Sequence, residues 1–238
     1  MKLINRVTPF LFVLTVLFGF EAISIWPKLF WVILVIQFLW FLLLWKLQNL
    51  NQSLGRFNPL LSVLFLNWSG IFFLLFVDNQ QFRQIFIIFL TFITWLYVRR
   101  PFGLKLDYIN LIIAFFVFFG FFSLKIFLNQ PMPQLLTGVF LTTGILLFQI
   151  FSVNQLPQTQ SFIYSLAGAL ILAESFGAIS FLPTGYYVNS VALLAIFYAY
   201  TNLALAALQL RLTTGNILKF VLISGLSLVF VFATAIWS

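Results

Sequence analysis

The sequence contains no cysteine and no histidine, and only four of its 238 residues are acidic. The missing cysteines exclude disulfides and thiol chemistry. The chain also lacks the His and Cys ligands of catalytic zinc and the His base of a rhomboid-like serine protease. An aspartyl intramembrane protease needs two aspartates within its spans, and Asp78 and Asp107 both lie between apolar runs. We therefore expect no catalytic residue, no metal and no cofactor, which favours a non-enzymatic protein.

Charge of either sign is scarce, because 7% of the residues are charged whereas 63% are hydrophobic. Together with a mean hydropathy of +1.13, this composition lies outside the range of soluble domains. The apolar runs are continuous and do not alternate with polar residues, which excludes a β-barrel. Runs near 20 residues suit helices that cross a bilayer, so the sequence predicts an all-α, polytopic transmembrane helical bundle. About nine spans are predicted: Val7 to Ile23, Leu29 to Trp45, Pro59 to Val77, Gln84 to Val98, Tyr108 to Leu128, Gln134 to Val153, Ser161 to Phe181, Asn189 to Leu210 and Ile217 to Trp237.

The basic residues predict the orientation, because Lys and Arg in short loops stay on the cytoplasmic side. With nine spans and a cytoplasmic N-terminus, the basic residues inside would be Lys2, Arg6, Lys46, Arg56, Arg99, Arg100, Lys105, Arg211 and Lys219. Only Lys28, Arg83 and Lys125 would lie outside. The prediction is a multi-pass protein of the bacterial cytoplasmic membrane with its C-terminus outside. Residues 1–24 also resemble a cleavable signal peptide, but we expect them to be retained as the first span.

The net charge of +8 does not require a nucleic-acid partner. A surface that binds DNA or RNA needs clustered basic residues, and here they are dispersed singly and in pairs between the spans. Anionic lipid headgroups account for this distribution more simply. The expected partners are membrane lipids and, as a further class, other membrane proteins.

Small residues are distributed unevenly along the chain. Only Ala22 and Ala114 precede Pro131, and the other twelve alanines follow Pro133. We predict one integral membrane domain, residues 1–238, with Phe-rich helices one to five in 1–130 and small-residue-rich helices six to nine in 134–238. Because small residues let helix backbones approach closely in a membrane, helices seven to nine are expected to form the tightest bundle.

Glu174 is the acid that lies deepest in a predicted span, so it marks the candidate site. Helical spacing places it on one face with Ala167, Gly177 and Ala178, which predicts a close helix contact. Lys125 and Tyr198 are the expected partners of this buried polar site. Either Glu174 is a structural polar clamp or simply a protonated carboxyl, or it serves as a proton relay, ion site or general acid or base. Other polar residues within the spans are expected to form hydrogen bonds between helices: Gln37, Asn67, Gln149 and Asn202.

One stretch carries a resemblance to a known family. It runs from Glu174 through Ser180-Phe181-Leu182-Pro183-Thr184-Gly185-Tyr186-Tyr187-Val188-Asn189, and continues with the Tyr198 helix and the ending Ala233-Thr234-Ala235-Ile236-Trp237. It resembles an uncharacterised family of polytopic membrane proteins from candidate-phylum bacteria with small genomes, over roughly the last third of the chain. The resemblance implies a bacterial cytoplasmic membrane and no assigned activity.

Three functions remain open from the sequence. The first is a non-enzymatic scaffold or partner subunit within the bilayer. The second is a transporter of small solutes or lipids with an outward-facing polar site around Glu174, and the third is a lipid-modifying enzyme. A polar, water-accessible cavity at Glu174 would favour the second or third function over the first.

Overall fold

A computed structural model describes residues 2–49, 57–99, 106–154, 156–209 and 212–235. Within these ranges the chain forms nine α-helices, one short 3-10 helix and no strands, so the predicted all-α polytopic bundle is confirmed. Seven of the helices are long and apolar enough to cross a membrane, and in α3 the apolar part is the shorter segment Leu61–Leu74. The helices are α1 (Lys2–Ile25), α2 (Phe30–Asn49), α3 (Phe57–Leu74), α4 (Gln80–Arg99), α5 (Leu106–Leu128), α6 (Met132–Val153), α7 (Gln158–Ile179), α8 (Tyr186–Leu208) and α9 (Thr214–Thr234).

Several helices differ in length from the apolar runs that predicted them. Helix α1 begins at Lys2 instead of Val7, and α4 begins at Gln80 instead of Gln84, because backbone hydrogen bonding continues into the polar residues beside the apolar run. Helix α7 ends at Ile179, where a turn toward Pro183 begins. The predicted span ends at Leu210 and Trp237 lie outside the described residues, as do four residues used for the orientation, namely Arg56, Arg100, Lys105 and Arg211.

The chain divides into two compact units, residues 1–113 and 114–238. The division falls inside α5, before the change in composition at Pro131 and Pro133. The prediction of one membrane domain and the predicted orientation stay predictions.

The first unit is organised around one face of α1. Four apolar side chains at helical spacing are almost completely buried: Phe12, Val16, Phe20 and Ile23. This stripe of residues three or four apart is the pattern of a helix that packs on one side. Helix α1 packs against α2, α3 and α4. Between α3 and α4, the Thr94 hydroxyl donates to the Asn67 side-chain oxygen at 3.0 Å, as expected of an interhelical hydrogen bond.

Arg83 stabilises one end of the first unit through carbonyl groups, and the structure shows no carboxylate partner for it among the described residues. Its guanidinium donates to the carbonyl oxygen of Val77 at 2.5 and 3.2 Å and to the carbonyl oxygen of Ser24 at 3.3 Å. Ser24 lies in the last turn of α1, where carbonyl groups have no partner within the helix. A cation is favourable at this negative end of the helix dipole. Nearby in sequence, Gln84 donates to the Glu21 carboxylate at 3.1 Å.

The second unit combines two kinds of helix contact. Helix α5 contacts α7 and α8 through aromatic rings, with Phe122 4.5 Å from Phe176 and Phe118 6.0 Å from Phe197 between ring centroids. Helices α6 and α7 instead share the most extensive contact of all described helix pairs. At Gly144, a Cβ would lie 3.5 Å from the Ala169 Cβ. Small residues therefore allow this close approach, in agreement with the composition of the second half.

The expected tight bundle of helices seven to nine is only partly supported. The most extensive helix contact is that between α6 and α7, and the contact between α8 and α9 comes second. In α9, Ser224 is the buried residue of the helix, and its apolar side chains are exposed, with Leu226, Val229 and Phe230 each about two-thirds exposed. The alanines of α8 pack inward at Ala192 and Ala195, but α9 has no comparable series of small residues on one face.

Candidate functional site

An open groove of about 530 Å³ lies beside the contact between α6 and α7. Its lining is mostly apolar and includes small residues from α7: Leu136, Thr137, Phe140, Leu170, Ala173, Glu174, Gly177 and Ala178. The Thr137 hydroxyl donates to the Pro133 carbonyl at 2.8 Å, so it is already satisfied within α6. Among the described lining residues, Glu174 is the one with an ionisable side chain.

Glu174 is exposed, although its spacing with small residues predicted a close helix contact. The buried face of α7 carries Gly168, Ala169, Leu172 and Phe176. Successive residues are rotated by about 100° around a helix, which turns Glu174 to the side away from Phe176. Helix α7 has small residues on two faces: Ala169 and Ala173 are buried, whereas Ala167 and Ala178 are exposed. The predicted burial of Glu174 is therefore corrected: the described part of the chain does not cover this carboxyl.

Glu174 has no hydrogen-bond or ion-pair partner among the residues that the structure describes. It lies five residues before the end of α7, about 7 to 8 Å along the axis at the usual rise per residue. A group at this depth belongs to the apolar part of the span, where a carboxylate is costly unless it is paired or reaches water.

Lys125 is held at another position in the second unit. It lies in the last turn of α5, and its Nζ donates to the Ser180 carbonyl oxygen. Ser180 follows directly after α7, where carbonyl groups need partners from outside the helix. The ammonium group also lies 5.4 Å from the centroid of the Phe181 ring, a distance suited to a cation–π interaction. The structure does not pair Lys125 with Glu174.

Tyr198 is directed toward α9 and not toward α7. Its ring lies 6.3 Å from the Phe220 ring in an edge-to-face arrangement. The tyrosine that reaches α7 is Tyr200, whose hydroxyl donates to the Tyr164 carbonyl at 2.5 Å. Two residues correspond to about 200° around a helix, so Tyr198 and Tyr200 point to nearly opposite sides of α8. Sequence analysis missed Tyr200, although Gly168 one turn beyond Tyr164 was a signal for a large neighbouring side chain.

The motif that carried the family resemblance forms the turn between α7 and α8. The Thr184 hydroxyl donates to the Asn189 side-chain oxygen, and the Asn189 amide donates back to the Thr184 carbonyl at 3.3 Å. Both side chains are buried. Tyr186 and Tyr187 then pack against Phe119, with centroid distances of 5.1 and 5.0 Å. The motif thus has a structural role in joining the two helices to α5.

The structure therefore does not bring Glu174, Lys125 and Tyr198 together. In the described ranges, no three His, Cys, Asp or Glu side chains are placed to hold a metal ion. The arrangement at Glu174 offers a single carboxyl in an apolar groove, which suits recognition of a cation or a hydrogen-bond donor.

Comparison with known proteins identifies a family for the second half of the chain. A family model described as "Protein of unknown function (DUF5656)" matches residues 108–234. No curated protein and no solved structure matches the chain. The matched region covers almost all of α5 and all of α6 to α8, extends to the end of α9, and contains the groove and Glu174. Because this region is more than half of the 238 residues, the chain belongs to the DUF5656 family of proteins of unknown function.

Proposed function

We propose that the protein is a non-enzymatic membrane subunit that binds a transmembrane helix of another protein in the groove between α6 and α7. The observation that carries the proposal is the open, apolar groove with small residues on one wall and an unpaired carboxyl at its side. Membrane helices associate through close packing at small residues and through polar contacts. Both features are present together at this one place.

The groove supports a transporter or a lipid-modifying enzyme less well. A transport path or an active site around Glu174 would need further polar groups and access to water. Besides Glu174, the lining contains one polar side chain, that of Thr137, and its hydroxyl is already bonded within α6. Lys125, the expected second charge of an outward-facing polar site, is bonded to the Ser180 carbonyl.

We also propose the membrane in which the protein lies and its orientation there. Several helices that are long and apolar enough to cross a membrane support a multi-pass membrane protein. We propose the bacterial cytoplasmic membrane, with a cytoplasmic N-terminus and nine crossings, on the distribution of Lys and Arg. A reporter enzyme fused to the C-terminus is expected to be active outside the membrane, and one inserted between α6 and α7 is expected to be inactive.

Photo-crosslinking in intact membranes tests the proposed subunit function. A photoreactive phenylalanine analogue placed at Ala178, within the groove, is expected to crosslink one protein of defined mass. The same analogue at Phe18 of α1, which is 67% exposed, is expected to crosslink lipid only. Filling the groove with Gly177→Leu should remove the Ala178 product. Crosslinking of lipid alone at Ala178, or solute flux in proteoliposomes that Glu174→Gln abolishes, would contradict the proposal.

A further inference from the structure

The charge at Glu174 restricts what the groove can bind. An ionised carboxyl in the apolar part of a span normally faces a water-filled cavity or pairs with another group. Glu174 faces an apolar groove and has no partner among the described residues. Among the residues that the structure describes, no group completes this site, and a cation or a strong hydrogen-bond donor of another molecule would suit it.

The described cations of the second unit do not supply this partner. Lys125 donates to the Ser180 carbonyl and lies near the Phe181 ring. Lys219 lies in the second turn of α9, whereas Glu174 lies near the end of α7. Because α7 and α9 are separated by one helix and run in the same direction, Lys219 and Glu174 lie near opposite ends of their helices.

The shape of the groove favours a helix over a lipid chain. Ala173, Gly177 and Ala178 form the α7 wall, and a Cβ added at Gly177 would make only ordinary contacts, 3.5 Å from Leu136 and 3.7 Å from Met132. Ala173 and Gly177 lie one turn apart, so the small-residue part of the wall extends over about 6 Å of helix. Small residues at this spacing let another backbone approach closely, whereas a flexible acyl chain packs equally well against larger side chains.

We infer that the groove binds an apolar transmembrane helix of a partner protein that carries one Arg or Lys at the depth of Glu174. This inference rests on the proposed function and adds the chemistry of the partner. The small residues provide close packing of the backbones, and the Glu174 carboxylate accepts hydrogen bonds from the basic side chain. The carboxylate and the basic side chain thereby pair within the apolar part of the membrane, where an unpaired charge is costly.

A synthetic helix of known sequence serves as the probe. The peptide is a Leu/Ala helix of 22 residues, the length of α7, with one Arg at the depth of Glu174; its control has Gln there. The full chain, which has no cysteine of its own, carries one fluorophore through Gln158→Cys at the start of α7. Energy transfer to a labelled peptide in phosphatidylcholine vesicles reports association. The Arg peptide is expected to bind roughly 3- to 15-fold more tightly than the Gln peptide, on the scale of polar contacts between membrane helices.

Three variants locate the effect. Glu174→Gln should abolish the difference between the two peptides, and Gly177→Leu should abolish binding of both. The control Glu21→Gln changes an acid of the first unit that accepts from Gln84, and it should leave the preference unchanged. Monodisperse elution in detergent shows that each variant is folded before it is compared.

Other occupants give different results, and each of these contradicts the inference. Equal binding of both peptides that Gly177→Leu removes would keep the subunit function and reject the basic partner. Displacement of the Arg peptide by phosphatidylethanolamine, dependent on Glu174, would identify a lipid amine. Energy transfer between two labelled copies of the chain, removed by Gly177→Leu, would identify a second copy. Binding of neither peptide would also overturn the inference. The subunit function would then still be decided separately, by photo-crosslinking at Ala178.

Discussion

The Tyr200 hydroxyl donates a hydrogen bond of 2.5 Å to the main-chain carbonyl of Tyr164, and this bond joins α8 to α7. The Tyr200 ring passes over Gly168 on its way to this carbonyl. A Cβ at Gly168 would lie 2.2 Å from Cε1 of Tyr200 and 2.6 Å from Cδ1 of Leu147. The absence of a side chain at residue 168 is therefore a condition for the bond between the two tyrosines.

Gly168→Ala is expected to destabilise the protein, because the added methyl group overlaps a ring that the hydrogen bond holds in place. The free energy of unfolding should fall by about 1 to 3 kcal/mol, the usual cost of overpacking. Gly177→Ala is the matched control, since its Cβ would meet nothing closer than 3.5 Å. That change should be neutral, or stabilising by up to about 1 kcal/mol through helix propensity. The midpoint of thermal aggregation in detergent distinguishes Gly168→Ala from Gly177→Ala. Equal midpoints for the two variants would argue against the close contact at Gly168.

Two tyrosines of α8 provide a second matched pair. Tyr200→Phe removes the hydrogen bond to the Tyr164 carbonyl and should reduce stability by about 0.6 kcal/mol, and by no more than about 1.7 kcal/mol. Tyr198→Phe should have no effect, because the Tyr198 hydroxyl has no hydrogen-bond partner among the described residues. Unfolding by denaturant measures both variants. A larger loss for Tyr198→Phe would restore Tyr198 as a partner in a buried site.

Glu174 is expected to contribute little to the stability of the isolated chain. Glu174→Leu should be neutral or stabilising, because no described group loses a partner and a polar side chain leaves the apolar part of the span. Glu21→Leu is the contrasting change, since it removes the acceptor of the Gln84 amide and should destabilise the first unit by about 1 kcal/mol.

Unfolding by denaturant also measures whether Glu174 and Lys125 interact. Lys125→Met should destabilise the turn after α7 by removing the donor to the Ser180 carbonyl. In a double-mutant cycle with Glu174→Gln, the two effects should add within about 0.5 kcal/mol. Coupling well above that value would indicate an ion pair and contradict the separate positions of the two residues.

Gln37 is a buried amide whose nitrogen and oxygen both lack a hydrogen-bond partner among the described residues. Gln37→Met keeps the approximate shape and removes the unpaired polar atoms, so stability should rise by about 1 to 3 kcal/mol. Asn67→Leu should instead destabilise, because it breaks the bond from Thr94. Denaturation of both variants is the measurement. A loss of stability in Gln37→Met would mean that this amide has a partner after all.

The fold class was predictable because apolar runs of about the bilayer thickness permit few structures other than helices. The partners of polar side chains were less predictable. Asn67 forms the expected interhelical bond, whereas Asn202 donates to the Tyr198 carbonyl within its own helix. Main-chain carbonyls one turn away compete with side chains on other helices, and the sequence does not reveal which acceptor is closer.

The arrangement of the candidate site was also only partly predictable from the sequence. Helical periodicity places residues on the same face but does not say which face another helix covers. Glu174, Ala167 and Ala178 do share a face, and that face is exposed. The face with Ala169 and Ala173 was equally rich in small residues, and α6 packs against it. Only the three-dimensional arrangement distinguishes these two faces.

The two kinds of helix contact in the second unit imply different rates of evolutionary change. Around Phe122 and Phe176, rings can tilt or exchange for other large apolar side chains, so this part of the sequence can drift among relatives. At Gly144, a Cβ would already touch the Ala169 Cβ at 3.5 Å, so a larger side chain would push against α7. Natural selection should therefore retain Gly or Ala at residue 144 in family members that have long since exchanged the phenylalanines of α5.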